Sequence, residues 1–363
     1  GAGVIRVSSP VIYESPYSLT LLAHGDILVE APILNLALGG GDVNLLAGWD
    51  GSTIFNADSL LDTDLLGGLD LATQTVFGND TGASYVLFGT ERSVSGSVAI
   101  SANFPTVGVA VGSRSGATRV YGNDLGLFGD DSLSGGYAQL GVNAEGFGTD
   151  DLIGGDILVR ATGDIRLQSG ATSQTFTQIG HVGIDTSSDV PAEVDAAGTI
   201  DIEALGGLTL QVGPAPESHA KVGHGSGGNV FPQASGLRSG AITVTLGGQL
   251  TIADTNVGDF GIIEGVIGHR SASPGAVTGA PITLTASAFG RSLDTPVAPG
   301  GAGSFNPNLI RDGLEGGNLR LTANDSGLTF GAGTIAAPVV HDLVVHVSHD
   351  IRLEDGFGFV NDN

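Results

Sequence analysis

The sequence predicts an all-β fold, a parallel β-helix of roughly ten three-sided coils with loop excursions, about 50 Å long at ~4.8 Å per coil. Three observations predict it. The first is a two-strand phrase, clearest over 155–170, GDILVRATGDIRLQSG. Its apolar side chains fall at Ile157, Val159 and Ala161, then at Ile165 and Leu167, with polar residues between them. Period two marks a strand with one buried face. The second observation is recurrence. The phrase returns as Ile200/Ile202/Ala204 with Leu208/Leu210, and as Ile242/Val244/Leu246 with Leu250/Ile252. The third is a superperiod, with strand anchors at Ile157, Ile200, Ile242 and Ile282, about 40 residues apart. A repeat that cannot bury its own apolar face must stack on its neighbours. Helical repeats conflict with period two and with the density of Gly and β-branched residues. A sandwich would show turn signals every ~8–12 residues and no long superperiod.

Taken in order, 1–50 reads as regular coils, with strands near Val4, Leu19, Ile27, Ile33 and Val43. Leu19/Leu21/Ala23 with Ile27/Val29/Ala31 is the repeating phrase. Residues 51–150 are less regular and carry acidic loops. Val76-Phe77-Gly78-Asn79-Asp80 is echoed by Val120-Tyr121-Gly122-Asn123-Asp124, and Tyr85–Gly89 by Tyr137–Gly141. Val98/Ile100/Ala102 supplies a further strand signal. Over 151–290 a third element joins the phrase: Phe176-Thr177-Gln178-Ile179-Gly180-His181, then His219–His224, then Glu264–His269. A Gly/Ser/Pro/Ala-rich excursion follows each, such as 225–240 or 271–280, and is expected to bulge from one corner. In the terminal coils, 291–363, Leu319/Leu321/Ala323 with Leu328/Phe330 precedes Leu343/Val345/Val347 with Ile351/Leu353. The whole chain, 1–363, reads as one shaft.

Composition narrows the function. Glycine supplies 61 of 363 residues and clusters at strand ends without a collagen period, so it reads as turns. The balance of 38 acidic to 13 basic residues, a net charge of −25, argues against nucleic acid and anionic lipid as partners. Cysteine and methionine are absent, which suits secretion without a disulfide framework. The sequence opens on Gly1 without an initiator Met or signal peptide and reads as a mature or excised fragment. No apolar run reaches the ~18 residues of a membrane-spanning helix.

Ser18-Leu19-Thr20-Leu21-Leu22-Ala23-His24-Gly25-Asp26-Ile27-Leu28-Val29-Glu30-Ala31 resembles the repeat of filamentous haemagglutinin-type exoproteins of bacterial two-partner secretion systems. So do Asn44-Leu45-Leu46-Ala47-Gly48-Trp49-Asp50 and the Gln-Ile-Gly-His units. The resemblance is weakest over 51–75 and 290–316. It implies a right-handed β-helix shaft, exported through an outer-membrane secretion partner and displayed outside the cell or on its surface. Such proteins are adhesins or large surface fibres. The expected function is therefore structural, a shaft segment continuing into flanking coils of a longer parent or stacking on copies of itself. Its possible receptors are glycans or proteins of a host or cell surface. Asn306-Pro307-Asn308-Leu309 copies a phrase of the family's secretion domain, but stands near the C-terminal end among Pro and Gly and reads as a loop.

Candidate sites are few. Gly180-His181, Gly223-His224 and Gly268-His269 repeat, so the imidazoles are expected to form a column, with Val142 as the fourth equivalent. Such a column could hold turns by hydrogen bonds, respond to pH through imidazolium repulsion, or ligate a metal if the rings converged. Asp58, Asp62, Asp64, Asp130 and Asp131, with Asp150 and Asp151, could bind Ca²⁺ or simply form solvated acidic surface. No other cofactor is expected. A carbohydrate-binding or carbohydrate-cleaving β-helix is the rival reading. It needs two carboxylates ~5–9.5 Å apart in a cleft, and no pair stands out. Lys221 is the only lysine, Arg is sparse, and no nucleophile elbow or phosphate loop occurs. The chain is therefore read as a non-enzyme. Trp49, Tyr13, Tyr17, Phe77, Tyr85, Tyr121 and Tyr137 could stack on sugars if exposed, or pack at corners.

Overall fold

The computed structural model describes residues 3–48, 69–70, 75–76, 96–102, 108–131, 135–144, 147, 151–183, 193–215, 218–225, 236–253, 264–269, 281–290, 302–305, 317–330, 333–336, 340–353 and 357–360. The described residues are all-β, without a helix, and so contain no helix long and apolar enough to cross a membrane. Most strands belong to three long parallel sheets that the chain visits in rotation as far as Phe289–Gly290. Beyond it Gly317–Ala323 and Val340–Val347 extend the third sheet, while Ala302–Phe305, Gly327–Phe330 and Ile351–Leu353 form a separate parallel sheet, and Gly333–Ala336 pairs with Phe357–Val360. The first sheet runs Ile5–Val7, Ile27–Val29, Val98–Ser101, Leu125–Phe128, Ile165–Gln168, Leu208–Gln211, Leu250–Ala253 and Phe289–Gly290. The second runs Val11–Tyr13, Ile33–Asn35, Gly108–Ser113, Tyr137–Leu140, Phe176–Ile179, His219–Val222 and Glu264–Ile267. The third runs Leu19–Leu22, Val43–Leu46, Thr118–Gly122, Ile157–Ala161, Ile200–Ala204, Ile242–Leu246, Ile282–Ala286, Gly317–Ala323 and Val340–Val347.

The register joins the residues that the repeat aligns. Ile157 pairs with Ile200, Ile200 with Ile242, Ile242 with Ile282, Ile282 with Leu319 and Leu319 with Leu343. Leu328 and Phe330 pair likewise with Ile351 and Leu353. Ile27 and Val29 of the first sheet, Ile33 of the second, and Val43 and Leu45 of the third belong to one continuous apolar core. Each such side chain, fully withdrawn from water, contributes about 1.5–3 kcal/mol before entropy is counted. Like residues stack because a parallel ladder places equivalent side chains ~4.8 Å apart.

The second sheet breaks the alternation. Its strands Tyr137–Leu140, Phe176–Ile179 and His219–Val222 are buried at every position. Ala138, Leu140, Ile179, Ala220 and Val222 join the main core, so Tyr137, Phe176, Gln139, Gln178, His219 and Lys221 occupy a second buried face. Tyr137 stacks on Phe176 at 4.7 Å, and Phe176 on His219 at 4.9 Å. A small extra layer accompanies this sheet. Asp151–Ile153 pairs in parallel with Val194–Ala196, and Ala196 bridges to Arg238. Ile153, Val194 and Ala196 pack with Val142, Ala144 and Val182 in a separate apolar cluster. The excursions thus supply strands of their own, which the sequence reading took for a simple bulge.

Leu69–Asp70 pairs antiparallel with Thr75–Val76, whereas Val120, in the echoing phrase, lies in the third sheet. Tyr85–Gly89, Trp49 and Asn306–Leu309 lie outside the described residues.

Candidate functional site

The polar residues of greatest interest line the corner where the chain leaves the second sheet for the third. The strand register continues through glycines that touch one another. A Cβ on Gly141 would strike the carbonyl of Gly180, one on Gly180 that of Gly223, and one on Gly223 that of Gly268. Gly180 also sits at φ 152°, where L-residues are rare. The residue after each glycine therefore repeats one position, giving Ser113, Val142, His181, His224 and His269, with Asn35 paired to Ser113 below them.

The three imidazoles stack nearly parallel. His181 and His224 are 5.1 Å apart at 5°, His224 and His269 4.8 Å apart at 7°. All three are fully buried. Each ring uses both nitrogens on backbone. The Nδ1 atoms of His181, His224 and His269 accept the backbone N–H of Val142, His181 and His224 at 3.1, 3.0 and 3.0 Å. The Nε2 atoms lie 2.6, 3.0 and 2.8 Å from the carbonyls of Gly155, Gly198 and Gly240. A backbone amide can only donate, so Nδ1 carries the lone pair and Nε2–H donates to the carbonyl. Burial is the largest cause holding His181 and His269 down at about 4, and His224 lies well below the ordinary imidazole value. The backbone carbonyls at Nε2 oppose that shift without reversing it.

These bonds have a topological meaning. The chain leaves the second sheet at Val142, His181 and His224, and re-enters the third through Gly155, Gly198 and Gly240. His224 therefore ties the exit at His181 to the re-entry at Gly198, which is the neck of the excursion one coil earlier. His181 closes the 143–155 neck and His269 the 225–240 neck in the same way. Ser113 makes the re-entry half of this clasp with a shorter side chain. Its Oγ donates to the carbonyl of Gly41 at 2.8 Å. Asn35 is a variant, donating from Nδ2 to Ser15 and Gly41 carbonyls at 2.8 and 2.9 Å. Val142 is the one member of the column without a polar side chain. The sequence reading missed Asn35 and Ser113, although Val111-Gly112-Ser113 shares the apolar-Gly-x pattern of Ile179-Gly180-His181.

A second buried column supports the first. Gln139 Nε2 donates to the Gly180 carbonyl at 2.7 Å, and Gln178 Nε2 to that of Gly223 at 2.8 Å. Lys221 Nζ reaches the carbonyls of His224 and Gly225 at 3.0 and 2.7 Å. The single lysine is thus a buried strut. Val182, directly after His181, is held at φ 57°, uncommon for a β-branched residue, where the next coil has Gly225 at 80°.

The other polar cluster lies on the outer face of the third sheet. Arg160 contacts Asp201 at 2.6 Å and Glu203 at 3.3 Å, while Arg119 contacts Asp42 at 2.7 Å. Tyr121 is buried in register with Arg160, and burial raises its phenol above the ordinary value. Glu203 is pushed up by desolvation, against the pull of Arg160.

The proposed acidic sites fare differently. Asp58, Asp62, Asp64 and Asp150 lie outside the described residues. Asp130 is buried, so it is not solvated surface, and Asp131 accepts the Ala171 N–H at 2.8 Å. Asp151 begins a strand and pairs with Arg114 at 2.6 Å. Among the described residues no three His, Cys, Asp or Glu converge as a metal site. Of the aromatics, Tyr121 and Tyr137 are buried and Tyr17 is exposed. No family model, curated protein or solved structure matches the chain.

Proposed function

We propose that the chain is a structural shaft segment, a right-handed, three-sided parallel β-helix of roughly ten coils at ~4.8 Å rise, belonging to a secreted surface fibre or adhesin. The observation that carries this reading is the use of the buried polar side chains at the corner. Histidines, glutamines, lysine, serine and asparagine there all bind backbone of their own or a neighbouring coil, which makes them structural fasteners. The edges support continuation of the ladder. Ile5–Val7 and Val340–Val347 each have one strand neighbour among the described residues, and Ile12, Ile351 and Leu353 are exposed. Flanking coils of a longer parent, or copies of this chain, are the partners that would pair such strands. The net charge of −25 disfavours nucleic acid. Secretion through an outer-membrane partner, surface localisation and a glycan or protein receptor rest on the family resemblance. Electron microscopy of the native material tests the reading. Rods with a ~4.8 Å axial repeat and paired end strands are expected, and a compact particle with bare ends overturns it.

The Arg160–Asp201–Glu203 cluster favours a second reading, a carbohydrate-binding or carbohydrate-cleaving β-helix. Asp201 and Glu203 stand two residues apart on one strand face, and Arg160 engages both carboxylates. Release of reducing ends from neutral or acidic polysaccharides, abolished by Asp201→Asn, would establish this reading in place of the first.

A further inference from the structure

We propose that His181, His224 and His269 are acid-released clasps that unlock the necks of three successive excursions while the long sheets stay paired. The geometry carries the argument. Each Nδ1 accepts a backbone N–H, and each Nε2–H already faces a carbonyl. The ring can gain a proton only at Nδ1, where the new N–H would point at a backbone N–H 3.0–3.1 Å away. Two donors then face each other, and the exit side of the neck loses its bond. The column also couples the necks. The amide that His224 accepts belongs to His181, and the amide that His269 accepts belongs to His224.

The charged groups around the column do not rescue the imidazolium. On the second sheet, Lys221 directs Nζ to the His224 and Gly225 carbonyls. His219 stacks on Phe176 at the far end of the same strand. From the extra layer, Arg238 donates to the Val194 and Leu237 carbonyls and adds a second fixed cation. Lys221 and Arg238 both oppose protonation of His269, and Arg238 that of His224. Two carboxylates lie near. Asp156, at the entry to the third sheet, accepts from Thr199 N and Oγ1 at 2.7 and 3.0 Å, and favours His181 protonation only weakly. Asp195 accepts the Leu237 N–H at 2.7 Å. The sheets have no such weakness, because their shared core is aliphatic apart from Phe289.

Opening a neck returns its histidine to water, where its ordinary value is 6.5 rather than about 4. Linkage then multiplies the opening equilibria of the His181 and His269 necks about a hundredfold between pH 7.5 and pH 4, and shifts that of the His224 neck in the same direction. Amide hydrogen exchange on the whole chain tests this, with protection factors corrected for the intrinsic effect of pH. The amides of Val142 and His224 are expected to lose about a hundredfold of protection at pH 4, and the His181 amide to lose protection with them, while the third-sheet amides of Ile200 and Ile242 stay better protected than the neck amides at both pH values. His224→Gln supplies an acceptor and a donor without titrating, and should flatten the response at the His181 amide. The wild-type ring nitrogens give a measurement that needs no variant. Their ¹⁵N shifts should show Nε2–H tautomers at neutral pH and titrate together with the amide loss. Neck amides that stay protected at pH 4 overturn the proposal. So do neck amides that exchange only when Ile200 and Ile242 do, or rings that titrate near 6.5 with the amides unchanged.

Discussion

His181 donates its backbone N–H to the Nδ1 of His224 across 3.0 Å, and the same ring reaches the carbonyl of Gly198. One side chain thus joins the point where the chain leaves a coil to the point where it returns. Bringing the ends of a long loop together costs conformational entropy, and a two-ended side chain buried at the neck offsets that cost where it arises. His224→Ala removes both bonds and leaves a buried N–H and a part-buried carbonyl without their ring partner. A loss of about 2–5 kcal/mol is expected. The exposed His349→Ala serves as the comparison, with a change within about 0.5 kcal/mol. Denaturant melts at pH 7.5 measure both.

Global stability should fall with acid. The folded values of His181 and His269 lie at about 4, below the unfolded 6.5. Between those values the unfolded chain binds more protons, so the histidine contribution is complete above pH 6.5 and is lost on the way down to pH 4. Each histidine adds at most about 1.4 kcal/mol per pH unit. Glu203 acts in the opposite sense, since its raised folded value favours the native state at low pH and loses that contribution as pH rises above 4.5. Denaturant midpoints at pH 7.5, 6 and 5 should decrease in that order, and a flat series would contradict the lowered histidine values.

Gly180→Ala places a Cβ against the Gly223 carbonyl at a backbone φ of 152°. Backbone on backbone cannot yield by a rotamer change, so the loss should exceed the ~1–2 kcal/mol of left-handed strain alone. Gly135→Ala isolates the strain, because φ there is 81° and nothing lies within 4 Å of the added carbon. The two variants should differ clearly in thermal midpoint, Gly180→Ala melting lower.

Neighbouring positions on one strand should respond very differently. Ile242 is fully buried in the core, and Thr243 is half-exposed on the opposite face. Ile242→Ala should cost about 2–5 kcal/mol, and Thr243→Ala less than about 1 kcal/mol. Equal effects would mean that the strand faces are reversed.

Arg160→Met strips the counter-charge from Asp201 and Glu203. A loss of about 2–4 kcal/mol is expected at pH 7, and a smaller one at pH 4, where Glu203, whose value burial already raises, takes up a proton more readily. A loss that is the same at both pH values would show that packing of the guanidinium, not its charge, matters.

Much of this architecture was legible in the residues. Ile157, Ile200, Ile242 and Ile282 pair as their spacing implied, because a parallel ladder rewards like residues in like places. The histidine column was legible for the same reason. Asn35 and Ser113 were not, since three chemically different side chains do one task, and only the partner carbonyl reveals it. The second buried face was hidden as well. Phe176-Thr177-Gln178-Ile179 puts one polar residue on each face and shows no clean alternation, yet all four residues are buried. Asp151–Ile153 and Val194–Ala196 span three residues each, too few for a period to register. Lys221, read as a sparse basic group, is buried because carbonyls receive its ammonium.

The pinned necks bear on how such a chain can change over generations. Once the exit and return points are fixed to each other, the length and composition of the chain between them no longer set the pitch of the ladder. Doubling such a segment adds only about 0.6 kcal/mol of closure entropy. Insertions, deletions and wholesale replacement of 226–235 should therefore leave the neighbouring coils in register. The corner would act as a socket, accepting new surface without redesign of the sheets that carry it.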